Sequence, residues 1–397
     1  MKRLLFMGCL SYLLTGCTHV ILGAVLPELL HHYGRSYSAG GTLVFLEFGG
    51  FLLGVLAMPW SVRFLSRRTM ITLAFSLLFL AMTMIALLPP WTLMVLFTFI
   101  AGVAFGLVES GISTSVLLAA KEQQAIAFSK LEVAFGLGAL CMPLISSLLI
   151  AGGVWRMAFL LLALSALLTG VVWSRLSLGE HDTLLGNKAD RSQPGQGSSA
   201  LNRKSLAFLG LFMVVFFLYV GMENAIVNFL PSIFKDGLGA SSSVATLAVT
   251  VFWIAMVGGR LFAGKLAESM TYYRYLIVSF AGAVVTALLW IFSGELWSSF
   301  ALVLILGLFM AGMYAVALIY ANQLLPGRTE QTTSALIAAG GFGGSVLPLG
   351  VGWGMDHLSL DVAIWFVAAG MCAVFAIILY SRRSRMDSAR EPEGNIA

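Results

Sequence analysis

The chain has 397 residues, of which 59% are hydrophobic and only 10% charged, with a net charge of +5. A water-soluble fold carries about 25% charged residues, so this composition excludes one and calls for an apolar, lipid-facing exterior. The excess of basic residues is dispersed over short loops, which argues against a nucleic-acid partner.

At the N-terminus, Lys2-Arg3, an apolar run and Leu14-Thr15-Gly16-Cys17 imitate a lipoprotein signal. A cleaved signal is followed by a polar chain. Here the apolar stretch continues through Val20, Ile21, Leu22 and Val25-Leu26, so the segment reads as a first membrane span. A spanning helix needs about 20 mainly apolar residues. Twelve stretches qualify, at roughly 4–26, 41–62, 69–89, 92–118, 127–150, 154–174, 206–230, 243–264, 273–293, 297–321, 332–354 and 360–381. Without water to bond the backbone, such runs must be helical. Of the 23 Lys and Arg, nineteen fall on the side of the N-terminus, three (Arg35, Arg156, Lys235) on the other, and Arg260 lies inside a span. That asymmetry predicts an even span number with both ends cytoplasmic. The four cysteines are scattered through apolar runs, with no spacing for a metal site or a disulfide framework. Nor is there a nucleophile–base pair or a phosphate loop, so neither an enzyme nor a cofactor is expected.

Between spans six and seven lies the longest polar stretch, with Gly186-Asn187-Lys188 and Ser192-Gln193-Pro194-Gly195. This is linker chemistry. It divides the chain into a first six-helix bundle (1–176), a linker (177–204), a second bundle (205–381) and a tail (382–397). The halves are related by a shift of about 205 residues: Leu26-Pro27 matches Leu230-Pro231, Gly54 matches Gly259, Gly102 matches Gly307, and Gly106 matches Gly312. Gly136, Gly138 and Pro143 match Gly341, Gly343 and Pro348. Two parallel six-helix repeats place a substrate site near mid-membrane, between halves that rock.

An ionised side chain at bilayer depth costs about 2.5–3.5 kcal/mol on insertion scales, so each one needs a cavity or a partner. Glu109, in Phe105-Gly106-Leu107-Val108-Glu109-Ser110-Gly111, has small neighbours that leave room beside it. It is a candidate proton carrier, or else a fixed interhelical hydrogen bond. Tyr219, Glu223, Asn224 and Asn228 form a polar stripe on span seven, suited to a hydroxylated substrate or to gluing helices. Glu47, apolar on both sides, is a second proton site or a partner for another span. Glu132, near the cytoplasmic end and Lys130, suits a gating or structural role. Arg260 either snorkels or pairs with a carboxylate. His19 is a ligand or a core histidine, and Trp253 lies at a depth where its ring could stack on a sugar or simply pack. Trp60, Trp91, Trp155, Trp173 and Trp297 sit near span ends and read as interface anchors.

On these residues the chain resembles the major facilitator superfamily. It is similar to the superfamily's fucose-permease family, and within it to the glucose/mannose–proton symporters. The resemblance runs from about Gly16 to Trp353. It is carried by Ser129-Lys130-Leu131-Glu132-Val133-Ala134-Phe135-Gly136-Leu137-Gly138, Asn228-Phe229-Leu230-Pro231-Ser232-Ile233, Phe252-Trp253 with Gly259-Arg260, and Gly340-Gly341-Phe342-Gly343-Gly344. It implies proton-coupled symport of a hexose or similar polyol, with Glu109 at the family's span-four glutamate. Glu223, Asn224, Asn228, Trp253, Asn322 and His19 would shape the sugar site. It also implies a plasma-membrane protein working as a monomer. An exporter of drugs or metabolites is the rival. The chain departs from the family at Gly23, where fucose permeases carry an aspartate, and at Glu47, where relatives have glutamine. In the loop after span two, the Gly54 to Arg63 stretch lacks the usual acid, so a gate must use other contacts.

Overall fold

A computed structural model describes residues 2–62, 64–120, 124–175, 203–325 and 329–388. The expected linker, up to residue 202, and the end of the tail, from 389, lie outside the described residues. Among the described residues there are only helices and connections. Twelve segments are long and apolar enough to span a membrane. They are, in order, Lys2–Tyr33, Tyr37–Ser61, Arg67–Ala86, Trp91–Ala120, Gln124–Ala151, Met157–Arg175, Arg203–Ser232, Ser242–Met270, Tyr272–Ile291, Leu296–Leu324, Thr329–His357 and Val362–Ser388. All twelve expected spans are present.

Three details differ from the expectation. Span one does not stop at Leu26 but runs on through Pro27 to Tyr33. A mid-helix proline removes one ladder bond and crowds the preceding turn; here that turn contains Gly23, whose missing side chain lets span one lie on the backbone of Val227 and Asn228. Span seven likewise continues past Pro231 and ends in a π-helical turn, Ile233–Gly237. Span ten is two helices, Leu296–Met310 and Met313–Leu324.

The packing obeys the repeat. Span one packs on five and seven on eleven, two on four and eight on ten, three on six and nine on twelve. Between the halves, span two meets eleven, five meets eight, and one meets seven. The matched glycines explain why the repeat is written in glycine. A Cβ on Gly138 would strike the Leu13 carbonyl, and one on Gly343 the Phe217 carbonyl. Small residues there let backbones touch, and membrane helices gain from such packing. Gly136 and Gly341 meet side chains across the halves: the first makes room for Val257, and the second lies beside Leu52. These two contacts are themselves related by the repeat shift. The chain is thus an all-α integral membrane protein, with two pseudo-symmetric six-helix bundles. Its outer surface is apolar, with Leu148, Leu168, Leu289 and Phe292 exposed.

The tryptophans divide. Trp60 and Trp297 are exposed, the latter at 78%, as interface anchors should be. Trp173 is not an anchor. It is 1% exposed, and its indole N–H donates to the Ser11 hydroxyl at 2.9 Å. Proximity to a span end does not reveal which way a side chain faces, and span six turns this one into the bundle.

Candidate functional site

The site forms where spans one, five, seven and eight meet. His19 lies in an aromatic box. Its ring centroid is 5.4 Å from Phe48, 6.2 Å from Phe105, 5.3 Å from Phe135 and 6.0 Å from Trp253. Four spans contribute to that box, and Trp253 comes from the second half. Two turns further along span eight, Arg260 puts its guanidinium 5.6 Å from the centre of the Trp253 ring. The same guanidinium is 3.9 Å from the Glu223 carboxylate. Of the alternatives for Arg260, the structure shows pairing and a cation–π contact.

Arg260 also acts electrostatically on His19 and on Glu132, both from the first half. Glu132 in turn faces Glu109 and Glu223. Two carboxyl groups, from spans five and seven, therefore share one guanidinium, and Glu109 of span four adjoins them through Glu132. Tyr12 and Tyr314 border the same group. Tyr12 donates a long hydrogen bond, 3.4 Å, to the backbone carbonyl of Glu109, and Ser113 donates to that carbonyl at 2.8 Å. Lys130, the sequence neighbour of Glu132, is exposed at the helix end.

Span seven supplies the polar stripe. Asn224 and Asn228 each spend their amide N–H groups on the carbonyl one turn back, at 3.1 Å and 2.9 Å. Their side-chain oxygens are buried and have no protein partner. The same holds for the Trp253 indole N–H and the Thr250 hydroxyl, which lie one turn apart on span eight, and for one oxygen of Glu47. Unpaired buried polar atoms are costly and rare in folded proteins. Acceptors on span seven and donors on span eight that lack a protein partner can be completed by a hydroxylated ligand or by water. Glu47 is 2% exposed, and its backbone carbonyl lies against Gly102 of span four.

Asn322 stands apart from this group. Its amide donates to the Leu318 carbonyl and to the Thr333 hydroxyl, each at 3.0 Å, tying span ten to span eleven.

Sequence reasoning missed Tyr12, Tyr314 and the phenylalanine walls, because aromatic residues are unremarked in apolar runs. It also missed the sealed end. There Asp356 of span eleven accepts from the Tyr37 N–H at 2.8 Å and the Ser38 N–H at 2.7 Å, and from the Ser38 hydroxyl. The Tyr37 hydroxyl donates to Asp236, and Lys235 bonds Glu28 at 2.8 Å. Thr246 donates to the Ala24 carbonyl at 2.9 Å and Ser147 to the Ser243 carbonyl at 2.8 Å. Each of these ties one half to the other.

The model of the Major Facilitator Superfamily matches residues 8–222 and again residues 211–395. The chain belongs to the major facilitator superfamily. It is similar to a glucose/mannose transporter of Bacillus subtilis (strain 168), with 26% identity over 94% of this chain and 92% of that one. It is also similar to a fosmidomycin resistance protein of Escherichia coli (strain K12), with 24% identity over 92% of this chain and 90% of the other. Its fold matches that of a D-xylose–proton symporter crystal structure, at a TM-score of 0.75, covering 95% of this chain and 96% of that chain at 16% identity. The resemblance to sugar transporters read from the span-five and span-eight residues thus agrees with the relatives found. The chain is a transporter and not an enzyme.

Proposed function

We propose that this transporter couples the entry of protons to the import of a neutral hexose or similar polyol, by alternating access. The observation that carries this is the set of unpaired buried atoms, the Asn224 and Asn228 oxygens and the Trp253 N–H, beside an aromatic wall. Hydroxyl groups both donate and accept, so a polyol suits acceptors and a donor alike, and its C–H face suits Trp253. An anionic substrate would meet three carboxyls, and a purely apolar one would leave the polar atoms unpaired. The similarity to a glucose/mannose transporter supports the same substrate class.

In this scheme Glu109 carries the proton, and Glu47 is a second candidate. Glu132 and Arg260 form a charge contact between the halves that changes as they rock. The bodies that move are 1–176 and 205–381, joined by the linker 177–204. The protein works as a monomer in the plasma membrane with both termini cytoplasmic, as the basic-residue asymmetry indicates.

The test is uptake of a panel of labelled hexoses into proteoliposomes under an inwardly directed proton gradient, with Glu109→Gln in parallel. One sugar should accumulate, and collapsing the gradient or substituting Glu109 should abolish accumulation. Folded protein that accumulates none of them would overturn the import reading. A second reading, proton-driven export, draws on the buried, unpaired Glu47 oxygen and on the similarity to the fosmidomycin resistance protein. An efflux phenotype lost in Glu47→Gln would favour it.

A further inference from the structure

Span ten breaks at Ala311-Gly312 with no proline in it. Helix breaks have identifiable causes: proline, glycine or serine pairs, π-bulges, or a side chain inserted into the hydrogen-bond ladder. Here two tyrosines insert. The Tyr219 hydroxyl, from span seven, donates to the Met310 carbonyl at 2.9 Å, in a buried position. Tyr275, from span nine, fills the space beside Gly312 where a Cβ would stand. A carbonyl freed by a break inside a membrane has no water to turn to, so the Tyr219 hydroxyl is what satisfies it.

Tyr219 sits one turn before Glu223 on the same face of span seven, so its hydroxyl can turn from the Met310 carbonyl toward that carboxyl. A tyrosine hydroxyl has one proton to give and lone pairs to accept with. When Glu223 is protonated, its O–H can donate to the Tyr219 oxygen, and the tyrosine proton stays on the Met310 carbonyl. When Glu223 is ionised, its carboxylate competes for that same proton and forms the stronger, charge-assisted bond. The Met310 carbonyl then loses its partner and recovers one by taking back the Tyr314 N–H, which rejoins the two pieces of span ten.

We infer that Tyr219 is a one-proton switch, linking the protonation of Glu223 to whether span ten is broken or continuous. It is a positioning residue and needs no contact with substrate. The groups that face Glu223 are Arg260 from span eight, Glu132 from span five and Tyr314 from span ten, besides Tyr219 itself, while Tyr275 of span nine faces Tyr219. Arg260 pairs with the ionised state, so the switch is set by competition between that pairing and the proton. The inference adds Glu223 to Glu109 as a group that exchanges its proton during the cycle, and it does not rest on sugar being the cargo.

The experiment is hydrogen–deuterium exchange of the full chain in lipid nanodiscs across a pH series, without substrate. The amides of 311–316 are read against those of 94–104 in span four, which correct for the intrinsic pH dependence of exchange. Relative to that reference, protection of 311–316 should rise with pH by about five- to tenfold, the worth of one ordinary backbone hydrogen bond. Glu223→Gln should hold the low-pH pattern at every pH. Tyr219→Phe should remove the pH dependence while the reference amides stay unchanged, which also shows that the variant is folded. A pH dependence that persists in Tyr219→Phe at full size would overturn the switch. So would its absence in the unmodified protein. Because no sugar or gradient is present, neither outcome depends on the transport assay.

Discussion

The two ends of the helix bundle are held together in different ways. At the end bearing the turn between spans one and two, the halves share direct polar bonds: Asp356 with Tyr37 and Ser38, Asp236 with Tyr37, and Lys235 with Glu28. Backbones meet there as well, Gly41 against Pro348 and Leu349, and Gly352 against Tyr37. Toward the opposite end, the charged groups of the two halves face each other without closing. Arg260 pairs with Glu223 of its own half and reaches Glu132 of the other only through its field. The conformation is therefore closed at one end and partly solvated at the other, with the aromatic box around His19 between them. If the basic-residue asymmetry sets the orientation, the closed end faces outward. The seal is geometric and short-ranged, whereas the other end depends on charges that substrate and protons can rearrange.

The largest expected effect of a substitution lies at the charged end. Arg260→Gln leaves the Glu223 and Glu132 carboxyls without their shared cation and removes the cation–π contact to Trp253. Breaking a buried pair from one side is strongly destabilising, by about 3–5 kcal/mol when fully buried. Arg260 is 31% exposed, so the cost is smaller, on the order of 2–3 kcal/mol. Gradient-driven uptake should fall by about thirty- to a hundredfold, with the protein still monodisperse in detergent. Arg260→Lys should recover only part of it, because an ammonium cannot both stack and form a fork. Full recovery by lysine would show that the ring contact is idle.

At the sealed end the decisive residue is Asp356. The first N–H groups of a helix have no partner within it. Span two is not capped by its own N-cap residue, since the Ser36 side chain makes no capping bond. The cap comes instead from Asp356 in the other half, whose negative charge also suits the positive helix end. Asp356→Ala should cost about 1–2 kcal/mol, the usual worth of a cap. The balance should move about tenfold toward the state open at this end. Spin labels at Arg35→Cys and Leu358→Cys, in a chain cleared of its four native cysteines, would report it as a longer distance population. An unchanged distribution would mean that backbone packing alone holds the seal.

These two ends were not equally legible in the sequence. The spans and the repeat could be read because lipid enforces long apolar runs, and because matched helix crossings demand glycine at matched positions. Glu109, Glu223, Arg260 and Trp253 stood out because a charge or an indole deep in such a run is expensive. Asp356, Asp236, Glu28 and Tyr37 did not stand out, since polar residues at span ends are ordinary, and only the fold brings them together. Trp173 misled for the same reason in reverse. The break in span ten could not be placed from the sequence, because Gly312 is one glycine among many and the Tyr219 hydroxyl that bonds the Met310 carbonyl belongs to another helix.

The smallest effect expected comes from the Lys235–Glu28 pair, which tests whether every contact in the seal matters. The bond is short, 2.8 Å, but both side chains are more than a fifth exposed. Pairs in that setting contribute about 0.2–1 kcal/mol and weaken with salt. Lys235→Gln should therefore shift the Arg35–Leu358 distance populations by about two- to fivefold at low ionic strength, less than Asp356→Ala does. The shift should shrink toward nothing at high salt, where the Asp356→Ala shift persists. Should Lys235→Gln open this end as far as Asp356→Ala at every salt concentration, the ion pair and not the interhelical cap would be the latch, and the seal would be electrostatic after all.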